Sequence, residues 1–224
     1  MKVLKLALCA AAASFAVASA ASAQDVSFNL GATTDYVFRG YSQTDESPAI
    51  QGGVDVSQGV LYGGLWASNV DFLDSTDAEI DAYVGIKPTA GAVTFDFAAI
   101  YYGYINAPST ASYDYWEFKA AASMPVGPAT VGAAAYYSPA FFGDIGDAVY
   151  YEVNGSFSPA EKWSVSGALG EQTFDDVAGD YTTWNVGVGY AITDSISADL
   201  RYHDTDVETP ISDERVALTI KLVK

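Results

Sequence analysis

The chain has 224 residues, 50% hydrophobic and 17% charged, with 28 Asp and Glu against 10 Lys and Arg for a formal net charge of −18. So acidic a balance excludes a nucleic-acid partner, which needs a basic footprint, and argues against peripheral binding to anionic lipid through Lys and Arg. With one cysteine, Cys9, an intrachain disulfide framework is also excluded.

At the start, Lys2 and Lys5 precede the apolar run 6–18, and Ala21-Ser22-Ala23 supplies a small-residue cleavage site. These features mark residues 1–23 as a secretory signal peptide, cleaved before Gln24. Bulky Leu8 and the lack of an apolar run upstream make Cys9 an ordinary leader residue rather than a lipid-attachment site. Residues 24–224 are then a single cysteine-free domain.

From Val26 onward the sequence alternates apolar and polar residues in segments of about ten, the length of a transmembrane strand. The first predicted strand spans 26–38, with Val26, Phe28, Leu30 and Ala32 on one face and Ser27, Asn29, Gly31 and Thr33 on the other. The second, third and fourth cover 50–56, 60–69 and 78–86; in the fourth, Ala78, Ile80, Ala82, Val84 and Ile86 alternate with Glu79, Asp81, Tyr83 and Gly85. The same period of two marks further strands beginning near Val93, Trp116, Val131, Val149, Trp163, Trp184, Ile196 and Val216, about 12 in all. After the leader no apolar stretch reaches the length of a membrane helix.

The connections alternate as regularly as the residues. Short turns rich in Gly, Pro, Asp and Ser fall at 57–59, 87–91, 125–128, 158–161 and 193–195. Longer, acidic stretches fall at 40–49, 70–77, 105–113, 138–147, 173–181 and 203–213. The fold expected is an all-β, antiparallel up-and-down transmembrane β-barrel with short periplasmic turns and long acidic extracellular loops. A soluble sandwich also alternates, but Greek-key connections have no reason to keep a long-short rhythm. Aromatics toward strand ends, Tyr36, Phe38, Trp66, Tyr137, Trp163, Trp184 and Tyr202, are expected to form the interfacial girdles of such a barrel.

The run Asp35-Tyr36-Val37-Phe38-Arg39-Gly40-Tyr41-Ser42-Gln43-Thr44, followed by Pro48 to Gly53 and Leu61 to Asp71, resembles the opening of the TorF-type porins of Gram-negative outer membranes. Further echoes are Glu79-Ile80-Asp81 with Gly85, Tyr101-Tyr102-Gly103-Tyr104, and Tyr113-Asp114-Tyr115-Trp116-Glu117. The resemblance implies an outer-membrane barrel with a channel role, and carries no established solute, cofactor or catalytic residue. One departure is the end Ile220-Lys221-Leu222-Val223-Lys224, since many outer-membrane barrels end in an aromatic that helps assembly.

With the apolar face outward, parity directs Asp35, Arg39, Glu79, Asp81, Glu117, Lys119, Glu152, Asp199 and Arg201 inward as candidate pore-lining residues. Asp35, Arg39, Glu79, Asp81, Glu117 and Lys119 are expected to form a charged cluster across the lumen, either setting selectivity or plugging the barrel as an ion-pair network. Small inward residues, among them Gly31, Gly53, Gly85 and Gly187, are expected to leave room for solute. Metal and catalytic readings fail on spacing. Asp204, Asp206 and Glu208 begin a calcium-loop pattern, but Thr209 replaces its glycine and Arg215 its bidentate Glu. His203 is the sole histidine, and its sequence neighbour Asp204 faces the other side of a strand.

The function expected is a porin-like outer-membrane channel for small hydrophilic solutes with mild cation preference, and no cofactor. The alternative is a closed structural or adhesive barrel acting through its loops. Partners expected are outer-membrane lipid and lipopolysaccharide, the barrel-assembly machinery and the solutes themselves.

Overall fold

A computed structural model describes residues 24–175 and 177–224; the predicted leader lies outside them. The described chain is a closed antiparallel barrel of twelve strands: β1 Asp25–Thr33, β2 Ala49–Gln58, β3 Leu61–Asn69, β4 Ala78–Ile86, β5 Val93–Ile105, β6 Tyr115–Val126, β7 Ala129–Ser138, β8 Ala148–Ala160, β9 Trp163–Phe174, β10 Tyr181–Ala191, β11 Ile196–Thr205 and β12 Arg215–Val223. Each strand pairs with its sequence neighbours, and β1 closes the sheet on β12. No helix occurs among the described residues.

The alternation in the sequence becomes the two faces of this sheet. Val26, Phe28 and Leu30 of β1, Val153 of β8, Val186 of β10 and Leu200 of β11 all point outward, each more than half exposed. The outward set continues around the barrel, a larger contiguous apolar surface than soluble proteins present. Closure gives every central backbone donor and acceptor a ladder partner, which a hydrocarbon environment requires because no water is there to replace a missing bond.

Closure is uneven. β1 pairs with β2 over nine residues, Asp25↔Ser57 to Thr33↔Ala49, but with β12 over only five, Asn29↔Val223 to Thr33↔Thr219. Reciprocal backbone bonds between Phe28 and Lys224, and a Thr34 N–H to Leu218 bond, extend that seam at both ends.

The first strand is shorter than the sequence suggests. β1 stops at Thr33 and the chain turns into the lumen, so residues 34–48 form an inserted segment rather than the end of a strand. Inside it, Val37 and Phe38 pair with Ser42 and Tyr41 in a miniature hairpin. Its two turn residues, Arg39 and Gly40, both have positive φ, 46° and 89°, as the tight turns favoured in hairpins require. Glycine adopts that region freely; for Arg39 it costs about 1–2 kcal/mol.

The predicted girdle is corrected in part. Tyr137 and Trp163 face outward at 41% and 47% exposure. Tyr36 and Phe38, however, lie in the inserted segment, and Trp66 points inward because its neighbour Leu65 takes the outward face of β3. Tyr36 and Trp66 meet edge to face at 5.4 Å inside the barrel.

Candidate functional site: the lumen and its inserted segment

At the long-loop end the lumen is filled. The turn of the inserted hairpin places the Arg39 guanidinium in a two-pronged pair with Glu117 of β6, at 2.7 and 2.8 Å, with a further bond to Gln172 Oε1 of β9 at 3.0 Å. The two charged side chains are 6% and 1% exposed. Tyr102 donates to the same Glu117 carboxylate at 3.1 Å. The Arg39 cation also lies over the rings of Phe38, Tyr136 and Tyr150, 4.3–5.0 Å from their centroids. At Gly40 the backbone passes so close to β10 and β11 that any Cβ would collide with Thr183 and Thr205.

A second anchor holds the base of the segment. Asp35 accepts from Ser42 and Thr44 of the segment itself on Oδ1, at 2.7 and 3.1 Å, and from Arg215 at the start of β12 on Oδ2, at 3.0 Å. Between the two anchors, Tyr36 donates to Glu79 of β4 at 3.1 Å. Asp81, two residues along β4 and also buried, has one carboxylate oxygen, Oδ1, without a hydrogen-bond partner among the described residues.

Toward the short turns the lumen opens. Lys119 pairs with Asp96 of β5 at 2.7 Å, the two side chains being 21% and 15% exposed, with Lys87 3.8 Å from the same carboxylate. Tyr62 donates to that Asp96, and Tyr83 to Asp55. Arg201 contacts Asp199, Asn185 and Ser166 at 2.6–3.1 Å, and Glu152 accepts from Tyr150 and Asn154. A cavity of about 240 Å³ separates the inserted segment from the wall, bordered by Asp35, Trp66, Asp199, Arg201 and His203.

The nine sequence-predicted residues therefore all face the interior, and their pairings are local, with the Tyr136 ring shared by Arg39 and Lys119. Arg39 meets Glu117, Asp35 meets Arg215, and Lys119 turns away to Asp96. Asp35 and Arg39 arrive on the inserted segment, not on a strand as parity implied. Small inward residues do not simply leave room: the Tyr62 ring lies over Gly85, and the Arg201 guanidinium over Gly187, each occupying the space a Cβ would need. Sequence reading missed Gln172, Tyr102 and Arg215. The first two were open to it, since in the alternation of their strands both fall on the face opposite the apolar one; nothing in sequence signalled that Arg215 would reach Asp35.

Above the inserted hairpin, on the loop side, lies a second cavity of about 400 Å³. Its wall is aromatic. Tyr113 and Phe142 stack at 4.2 Å and 11°, Phe72 sits 5.5–5.6 Å from Tyr104, Tyr113 and Phe142, and Phe141, Phe174, Tyr181 and Tyr41 continue the ring at 5.1–6.5 Å spacings. At its rim Tyr113 donates to Asp74 at 2.9 Å. Hydrogen bonds from Thr76, then from Tyr113, hold the Asp74 carboxyl below its usual range, while burial and that same carboxylate push the Tyr113 phenol up.

Residues 17–221 match the family model Gcw_chp, described as a bacterial protein of unknown function. No curated protein matches the chain. Among solved structures, the KdgM porin aligns over 88% of this chain and 97% of its own with a TM-score of 0.63 at 6% identity; it has also been solved in complex with disordered oligogalacturonate. The NanC porin aligns over 89% and 98% with a TM-score of 0.57 at 11% identity. The COG4313 outer membrane channel from Pseudomonas putida F1 aligns over 90% and 94% with a TM-score of 0.53 at 11% identity. At such identities the likeness is one of fold.

Proposed function

The chain belongs to the Gcw_chp family of bacterial proteins, and from its barrel and lumen we propose that it is a porin-like channel of the Gram-negative outer membrane. It passes small hydrophilic solutes by diffusion, with a mild preference for cations. The observation that carries this reading is a continuous apolar outside around an interior of charged and hydroxylated side chains, the arrangement a lipid-embedded aqueous barrel demands. The porin folds it shares and the resemblance of residues 35–117 to TorF-type porins support the same reading.

In this reading the leader exports the chain, the assembly machinery inserts it, and lipid and lipopolysaccharide surround the apolar belt. The short turns face the periplasm and the long loops the outside. Those six loops carry a single basic residue, Arg39, among many Asp and Glu, so their field concentrates cations and repels anions. Lys119 and Arg201 lie further in, each already paired with a carboxylate.

Planar-bilayer recording and liposome swelling with sugars of graded size test the proposal. Open-channel current with a cation-selective reversal potential is expected, and swelling with the smallest sugars. An anion-selective potential overturns the preference. A folded barrel that gives neither current nor swelling overturns the channel.

A second reading is favoured by one observation, the segment 34–48 clamped across the lumen by Arg39 and Glu117. In it the barrel is closed and acts through its loops. Silent wild-type protein beside a conducting Arg39→Ala variant would establish that reading.

A further inference from the structure

The aromatic cavity above the inserted hairpin has no part in conduction as proposed, yet it is the most heavily built feature of the loop end. Five connections and strand ends contribute rings to it: Tyr41 from the inserted segment, Phe72 from 70–77, Tyr113 from 106–114, Phe141 and Phe142 from 139–147, and Phe174 with Tyr181 across 175–180. Loops that serve only as connections have no reason to converge their aromatics on one open cup. Its volume of about 400 Å³ falls in the range of small-molecule sites, roughly 300–1,000 Å³.

The polar groups around the rings restrict the occupant. The charged residues bordering the cup are Asp45 and Asp71, and among the described residues no Lys or Arg borders it. Asp71 is tied to the backbone N–H of Leu73; Asp74 stands behind Tyr113 and stays ionised at neutral pH. Arg39, next to the lining residue Phe38, is neutralised by its two-pronged pair with Glu117, and Arg215, near the lining residue Ile211, by Asp35. An anion, including an acidic sugar, therefore meets only negative charge at the cup. The chain already holds cations against rings elsewhere, Arg39 over three of them and Lys87 over Tyr62 at 4.4 Å. Ring faces attract cations through their quadrupole, most strongly cations that are weakly hydrated.

We propose that this cup is a binding site for small organic cations of the quaternary-ammonium class, the methylated cation resting against Tyr113, Phe142, Phe72 and Tyr41 while Asp45 and Asp71 supply the opposing charge. The site is independent of whether the barrel conducts, because it lies on the loop side of the inserted hairpin and is complete with the hairpin in place.

The test is calorimetric titration of the folded barrel with three compounds of one shape: choline, its uncharged isostere 3,3-dimethylbutan-1-ol, and the anion 3,3-dimethylbutanoate. Choline is expected to bind at least tenfold more tightly than the alcohol, with the anion weakest. Phe142→Ala should weaken choline roughly tenfold, Phe142→Tyr should keep most of the affinity, and the pair Asp45→Asn with Asp71→Asn should narrow the gap between choline and the alcohol. Equal binding of choline and the alcohol overturns the proposal, leaving an unselective apolar pocket. So does absence of choline binding, or choline binding that Phe142→Ala does not change while the variant keeps the wild-type barrel signature in circular dichroism. None of these readouts depends on current through the barrel, so failure of the channel reading and failure of this one are separable.

Discussion

Two neighbouring levels of the lumen use the same chemistry to opposite effect, the cations of both lying over the Tyr136 ring. Each has an Arg or Lys paired with a carboxylate at 2.7 Å and backed by tyrosines. At the loop end Arg39 and Glu117 are almost fully buried; toward the turns Lys119 and Asp96 stay partly exposed. The difference lies in what surrounds the pair. A segment of chain fills the first space, so desolvation makes either partner costly to leave alone; solvent reaches the second in part, so screening leaves its pair weaker than the first. Ion pairing by itself therefore does not say whether a barrel is plugged or lined.

Breaking each pair in turn measures that contrast. The largest effect is expected from Arg39→Ala, which strands Glu117 in the dry end: a loss of about 3–5 kcal/mol in denaturant unfolding of the folded barrel, with a rise in single-channel conductance as the hairpin loosens. A loss below about 1 kcal/mol would erase the distinction between the two levels. Removing the charge on both sides, Arg39→Met with Glu117→Gln, should recover part of that stability, because no uncompensated charge then remains. Lys119→Met is expected to cost less than about 1 kcal/mol, and to move the reversal potential toward cations without opening the barrel. Smallest is the rim contact of Asp74. Its folded pKa lies below the ordinary 3.8, so whatever it contributes to loop order is fully present above that value and lost as pH falls through the lowered one. Carboxyl NMR should show titration below 3.8, and Tyr113→Phe should raise it only part of the way, since Thr76 is the larger cause.

Much of this architecture was legible in the sequence because alternation has a direct physical cause. Where one face meets an apolar medium throughout, as in β4, the predicted and observed limits coincide at residues 78 and 86. The reading failed where alternation continued past the sheet. Tyr36 and Phe38 keep the rhythm of β1, yet both pack inside the barrel, against Trp66 and Tyr102. Inside a lumen neither face meets lipid, so the period of two no longer reports direction. Gly40 was the available signal, a turn-favouring residue in a stretch that reads as strand and loop, while Arg39 before it adopts positive φ at a cost. That Asp35 would pair with Arg215 was not available at all, because β1 and β12 are brought together by closure and not by any local pattern.

That closure gives the Asp35–Arg215 contact a meaning beyond anchorage. It joins residues 180 apart in sequence, one just after the first strand and one at the start of the last, on the short seam where β1 meets β12. The charge that roots the hairpin in the lumen is therefore the same one that places the start of β12 beside the end of β1. A chain whose hairpin was left outside would lack Arg215's partner at the edge where the last ladder forms, tying the closure of the wall to the content of the lumen.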